Sequence, residues 1–316
     1  MDLLRLPLLV LTDVFKYMDF RVKFLISLMS KRARKTLKLT STPSHLLFDF
    51  STIPYIEAGY QGMFAKVTDE ESNYLIEGEL MRLRLFPKRV YLHDGTPKKQ
   101  LLFASYLLDT FTKPTISIRF WDSTQPALAL EFMKMINQRQ VSIKAFSYHI
   151  IGTSSEVITE ILDKCTEVTD SIFISAVFPN DFVYTPPRPF KAKELRVGKT
   201  TNWLNLEKFL NCCRITVELG GNSNRTAQIY NSFFTKWMDS DAPLQKLQLS
   251  NFEESEGRLI MDALSNQGTK RTINEHWFEI KRKNGSEFFI YEYHRDIKIF
   301  TKQAYLERSN KIYQHE

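Results

Sequence analysis

The chain has 316 residues, 43% of them hydrophobic, with 24 Phe and 13 Tyr; that is enough apolar material for one large or two modest domains and too much for a disordered chain. Its 43 basic residues outnumber 36 acidic ones, giving a formal charge of +7 and a pI near 9.1. The two signs are interleaved, so no strong single-sign field is expected, and nucleic acid is a disfavoured partner. Three cysteines, Cys165, Cys212 and Cys213, offer no disulfide framework and suit a reducing compartment.

No run reaches the roughly 18 apolar residues of a membrane span. Asp2 and Arg5 interrupt the first residues, which do not read as a signal peptide. These features lead to the expectation of a soluble cytoplasmic or nuclear protein that does not engage a membrane.

The first legible element lies between Leu6 and Lys38. Leu6-Pro7 opens it, with proline where a helix start tolerates the missing N–H. Leu11, Val14, Phe15 and Met18 recur at i, i+3, i+4 and i+7, which draws one apolar stripe along a helix. Asp19 ends that stripe, and Phe24, Leu25, Leu28 and Met29 begin a second one that closes on Ser30-Lys31-Arg32. The basic run from Lys31 to Lys38 reads as a solvated helix end. Two helices of this size cannot hide both stripes against each other, so part of the apolar surface is expected to meet something else.

From Ser41-Thr42-Pro43 to about residue 100 the reading is mixed strand and loop, with short strands at Leu46–Phe48, Tyr74–Ile76, Leu83–Phe86 and Arg89–Leu92. The stretch His93–Pro97 reads as a turn. A rhythm then sets in. Helices are expected at Leu101–Phe111, Pro126–Asn137, Ser154–Cys165, Trp203–Cys212, Thr226–Met238 and Glu254–Asn266. Strands are expected between them at Thr115–Trp121, Val141–Ile151, Ser171–Phe178, Glu194–Val197, Arg214–Leu219 and Leu244–Leu249.

Successive strands start about 20 to 30 residues apart, the range of leucine-rich-repeat solenoids. Leu244, Leu247 and Leu249 supply the L-x-x-L-x-L core of that repeat, and Val217, Leu219 and Asn222 approach its second half. A doubly wound α/β domain would show the same alternation, but it calls for glycine-rich strand-to-helix loops that are missing here. Beyond Thr272, Asn284-Gly285 is a strong hairpin signal between Trp277–Lys283 and Glu287–Arg295, with Ile297–Thr301 expected to add a third strand. The fold class is therefore α/β. A small helical module at 1–40 and a connecting mixed region at 41–100 precede an irregular leucine-rich-repeat-like solenoid at 101–272. An antiparallel hairpin and tail follow at 273–316.

The N-terminal layout resembles the F-box, the small helical module that ties substrate receptors to cullin-based ubiquitin ligases through a Skp-family adaptor. The resemblance rests on Leu6-Pro7, the spaced set Val10, Leu11, Val14, Phe15 and Met18, the Asp19 that follows, and Ser30-Lys31-Arg32. Farther along, within about 195–265, Trp203–Leu210 (WLNLEKFL), Asn231–Trp237 (NSFFTKW) and Leu244–Phe252 (LQKLQLSNF) resemble the type-two F-box-associated domain of the expanded nematode F-box families, in the order found there. The resemblance implies that Leu6, Pro7, Val10, Leu11, Val14, Phe15 and Met18 bind a Skp-family adaptor and, through it, a cullin. It also implies that the C-terminal region binds a protein substrate, without saying which residues do so. The other reading of the residues is a leucine-rich interaction protein with no ligase link, its N-terminal hairpin capping the solenoid.

Intrinsic chemistry finds no support, and no cofactor is expected. Gly198-Lys199-Thr200 matches the end of a phosphate loop, but Lys193 stands where the loop's first glycine belongs. The six histidines are scattered, none at metal-ligand spacing, and His149 reads as a core residue of a strand. Cys212-Cys213 closes an apolar segment, a setting for packing rather than nucleophilic work. Trp203, Phe233, Phe234 and Trp237 fall at helical spacing and read mainly as core.

Overall fold

The computed structural model describes residues 5–40, 43–59, 71–112, 114–149, 155–179, 181–199, 201, 203–220, 225–282 and 284–313. The chain forms two compact units, Met1–Ile150 and Ile151–Glu316, so the expected repeat region at 101–272 runs across their boundary. The mixed α/β class is as expected from the alternation of elements.

Unit 1 begins with three helices, α1 (Leu8–Tyr17), α2 (Phe20–Met29) and α3 (Lys31–Thr40). The two stripes account for α1 and α2. The third helix takes up the segment expected to be a solvated basic end, because Ala33, Leu37 and Thr40 line a buried face beneath the cations. Asp19 caps α2 by accepting the Val22 N–H at 2.8 Å.

The body of unit 1 contains β1 (His45–Phe50), β2 (Tyr55–Ala58), β3 (Ser72–Ile76), β4 (Glu79–Leu85), β5 (Arg89–His93), α4 (Pro97–Thr110), β6 (Thr115–Phe120), α5 (Pro126–Gln138) and β7 (Ile143–Tyr148). Its strands lie in the order β7-β6-β1-β2-β5-β4-β3. The pairs β7/β6 and β6/β1 are parallel and the others antiparallel. Thr96 caps α4 and Pro97 opens it, so the turn read at His93–Pro97 launches a helix earlier than expected. One sheet face is apolar: Phe48, Phe50 and Phe120 pack against Phe132 of α5, with ring centroids 4.8–6.1 Å apart.

Unit 2 contains α6 (Ser155–Lys164), β8 (Ser171–Ala176), β9 (Glu194–Lys199), β10 (Arg214–Glu218), α7 (Ala227–Asp239), β11 (Lys246–Ser250), α8 (Glu254–Ser265), β12 (Thr269–Thr272), β13 (Trp277–Lys281), β14 (Glu287–Tyr293), β15 (Asp296–Thr301) and α9 (Lys302–Tyr313). Strands β8, β9, β10 and β11 pair in parallel. The antiparallel ladder β11/β15/β14/β13/β12 extends the sheet. The Asn284-Gly285 turn joins β13 to β14 with Gly285 at φ 86°, a left-handed value that glycine adopts without cost.

The expected helix Trp203–Cys212 is not formed. Only Leu206–Phe209 makes a turn of 3-10 helix, started by Asn205, whose side chain accepts the Glu207 N–H. Trp203 is fixed among the rings of Phe178, Phe182 and Tyr184, and Leu204, Leu206, Phe209, Leu210 and Cys212 are all buried. Tertiary packing of so many apolar groups overrides the helical period. Of the repeat motif, Leu247 and Leu249 lie on β11, Leu244 precedes it, and Asn222 lies outside the described residues.

Candidate functional site

The adaptor-binding set divides by burial. Leu11 (3% exposed) and Phe15 (0%) turn inward, where they form a small core with Leu37 that Leu6, Met18 and Ile26 partly close. A partner meeting this conformation cannot touch Leu11 or Phe15. Pro7 and Val10 are exposed and Val14 is half-buried. The outward face instead gathers Val10, Asp13, Val14 and Tyr17 at i, i+3, i+4 and i+7, flanked by Leu9. Leu9 is 83% and Tyr17 85% exposed. Sequence reasoning passed over both, because an apolar stripe cannot by itself tell an inward face from an outward one.

The three helices are not a free-standing hairpin. Phe24 of α2 is fully buried among Phe103, Tyr106 and Tyr74, and Ser27 and Tyr106 share a hydrogen bond of 2.9 Å. Pro87 O accepts the N–H groups of Phe20 and Arg21 at 3.0 and 3.2 Å, so the β4–β5 loop holds the start of α2. Arg34 of α3 pairs with Glu77 and lies over the Tyr106 ring. Of the second stripe, Phe24 is thus buried by the body of unit 1 and Leu25 and Leu28 are half-buried, while Met29 stays exposed, as do Val22 and Leu39. The outer face of α1 carries the most exposed apolar groups of the module, Leu9 and Tyr17.

Each unit has one sheet face of polar and aromatic groups, which in unit 1 lies opposite the packed phenylalanines. In unit 1, both carboxylate oxygens of Asp49 accept the Trp121 indole N–H at 3.1 Å. Glu57 pairs with Arg89 at 2.8 Å, and Arg89 lies over Tyr55. Burial and then the charge of Asp49 push the Tyr55 hydroxyl up to about 12. His149, expected in the core, is half-buried and stacks on Trp121 with centroids 4.5 Å apart.

In unit 2, the register places Glu194, Arg214, Lys246 and Phe300 in one row across β9, β10, β11 and β15. The next row holds Arg196, Thr216, Gln248, Lys298, Tyr291 and Trp277. Helix α9 lies on this face: Tyr305 stacks on Phe289 at 4.1 Å and meets Trp277 at 5.1 Å. Arg308 lies over Trp277 and Phe300.

Neither cavity described suits an apolar small molecule. One beside Asp49 and Phe103 has a free volume near 10 Å³. A polar recess of about 310 Å³ is ringed by Asn266, Gln267, Asn284 and the Arg282–Asp239 pair. Among the described residues no group of three His, Cys, Asp or Glu side chains could hold a metal ion, and no helix is long and apolar enough to cross a membrane. Gly198 and Lys199 close β9, with Lys199 at φ 63°, and Thr200 lies outside the described residues. Cys165 and Cys212 are buried and Cys213 is half-buried, all three as free thiols. Burial pushes Cys165 well up and Cys212 up to about 12, which leaves both inert as nucleophiles at neutral pH. Trp203, Phe233, Phe234 and Trp237 are core, each at most 4% exposed.

The chain matches no protein-family model, no curated protein and no solved structure.

Proposed function

We propose that the chain is the substrate-recognition subunit of a cullin-based ubiquitin ligase. Its N-terminal helices act as an F-box that binds a Skp-family adaptor, and an irregular leucine-rich-repeat-like region captures a protein target. It works without chemistry of its own, in the cytoplasm or nucleus, by holding the target's lysines near the transferring enzyme and so raising their effective concentration.

The observation that carries this reading is the outer face of α1. Leu9, Val10 and Tyr17 stand exposed on a helix whose inner face is already filled, and α2 and α3 anchor that helix to unit 1. An apolar helix face presented this way suits insertion into a partner's groove. Pro7, Leu9, Val10, Val14 and Tyr17 are its contacts, while Leu11 and Phe15 support the helix from behind. The repeat-like part of the reading is supported in unit 2 by the in-register parallel strands β8 to β11. The aligned positions Lys199 and Asn251 both take left-handed backbone where β9 and β11 end.

The seating of α2 on unit 1 also fits the second reading, a protein-interaction module whose helices only cap the domain. Co-expression with a Skp-family adaptor separates the two. Co-purification of the wild type, lost in Leu9→Asp but with folding unchanged, supports the ligase subunit. A folded wild type that leaves the adaptor behind removes it and leaves the capping reading.

A further inference from the structure

The polar face of unit 2 collects cations beyond its own need for ion pairs. Arg214 and Lys246 are register partners on adjacent strands, and like charges so placed repel. Glu194 partly compensates Arg214 at 3.5 Å while also binding Arg196 at 2.7 Å, and Asp296 takes up Lys298 at 2.6 Å. Among the described residues no carboxylate lies within ion-pair distance of Lys246 or Arg308. Both cations instead lie over the same Phe300 ring, 5.9 and 5.4 Å from its centroid. Burial, together with the charges of Lys298, Arg308 and Arg196, lowers the pKa of Lys246 against the opposing pull of Glu194. A half-buried lysine facing three cations is an arrangement that a bound anion would relieve.

We propose that this face binds an acidic segment of a protein, with Lys246 and Arg308 as its principal contacts and Lys298 and Arg214 flanking them. Charge complementarity names the partner's chemistry. The rings of Trp277, Phe289 and Phe300 are already covered by Tyr305, Arg308 and Lys246. Over these three rings the outward groups are therefore cations, and Tyr293 at the end of β14 is the exposed ring beside them. That is too little for a run of stacked bases, which favours a polypeptide over single-stranded nucleic acid. The inference names the target class of the proposed receptor and rests on that reading for its setting; the binding chemistry lies in unit 2 alone.

The test uses the full chain and a fluorescein-labelled poly-glutamate peptide followed by fluorescence anisotropy at low and high salt. Expected is saturable binding that weakens with salt and falls about tenfold or more in Lys246→Gln and in Arg308→Gln. Arg308 is exposed, so its replacement does not put folding at risk. No binding by the wild type at low salt overturns the proposal, as does equal binding by both variants. Tighter capture of a labelled oligothymidylate than of the peptide also overturns it, in favour of nucleic acid. Adaptor co-purification measured on the same proteins separates the two claims: adaptor bound without peptide defeats this inference, and peptide bound without adaptor defeats the ligase reading alone.

Discussion

Phe24 of α2 meets Phe103 of α4 edge to face, with ring centroids 5.9 Å apart and planes at 90°. This contact makes the N-terminal helices part of unit 1, and it brings the segment 1–40 under the stability of the body. Phe24 has no exposed surface, so Phe24→Ala removes a core aromatic and should cost about 3–5 kcal/mol. A peptide of residues 1–40 should be largely unfolded, since α2 then loses the surface that buries its stripe. Circular dichroism of the peptide and urea unfolding of the variant check both. A cooperatively folded peptide would show that the module stands alone.

Two leucines two positions apart should behave in opposite ways. Leu9 is exposed, so Leu9→Asp should shift Tm by no more than about 2 °C while ending adaptor capture. Leu11 is buried against Phe15 and Leu37, so Leu11→Asp buries an unpaired charge and should unfold α1 or the whole unit. Thermal melts run beside pull-downs distinguish lost contact from lost fold. Equal destabilisation by the two substitutions would contradict the assignment of faces.

In unit 2, Tyr230 donates to Glu256 at 2.6 Å, and Arg225 approaches the same carboxylate oxygen at 3.8 Å while donating to Thr201 O at 2.6 Å. Glu256 is 7% exposed. Tyr230→Phe removes one of its hydrogen bonds and should cost about 1–3 kcal/mol. Arg225→Met removes a cation beside a buried carboxylate and should cost more, about 3–5 kcal/mol. Urea denaturation of the two variants tests the order, and a reversed ranking would show that Tyr230 rather than Arg225 compensates Glu256.

Alkaline pH should weaken the fold in a defined window. Burial and then Cys213 push the Cys212 thiol up to about 12, and Tyr55 is likewise raised to about 12. Both groups stay neutral in the folded chain at pH values where the unfolded chain ionises. Their stabilisation is complete below the unfolded values, roughly 8.5 for a thiol and 10 for a phenol, and it is lost as pH rises through about 12. Tm should therefore decline above about pH 9, and Cys212→Ala should flatten the first part of that decline even with a lower starting Tm. A scanning-calorimetry series that stays level up to about pH 11 would refute this.

Maleimide labelling of the native chain at neutral pH should mark Cys213 well ahead of the buried Cys165 and Cys212. Peptide mass mapping reads the order, and early label on Cys165 would signal local opening of its site.

Legibility followed pattern strength. The strands β6, β8 and β10 and the helices α5, α7 and α8 were readable because their buried positions keep a strict period. β2 was missed because four residues are too few to establish alternation, and β12 because Thr269–Thr272 is wholly exposed. α9 has little amphipathic pattern and is held by Tyr305 on Phe289, a contact with no trace in local sequence. The Trp203–Cys212 segment shows the converse, a helical period defeated by the rings around Trp203.

For the candidate site, sequence alone determined that an apolar helical stripe runs from Leu11 to Met18, that Asp19 ends it, and that the residues form no recognised metal or nucleophile motif. Periodicity reports which residues share a stripe, and side-chain chemistry reports which ends can be capped. Only the tertiary structure decided that Leu11 and Phe15 face inward while Leu9 and Tyr17 face out, and that Lys246 and Arg308 meet over Phe300. Those outcomes depend on what packs against each face and on strand register, which bring together residues tens of positions apart that no local window contains.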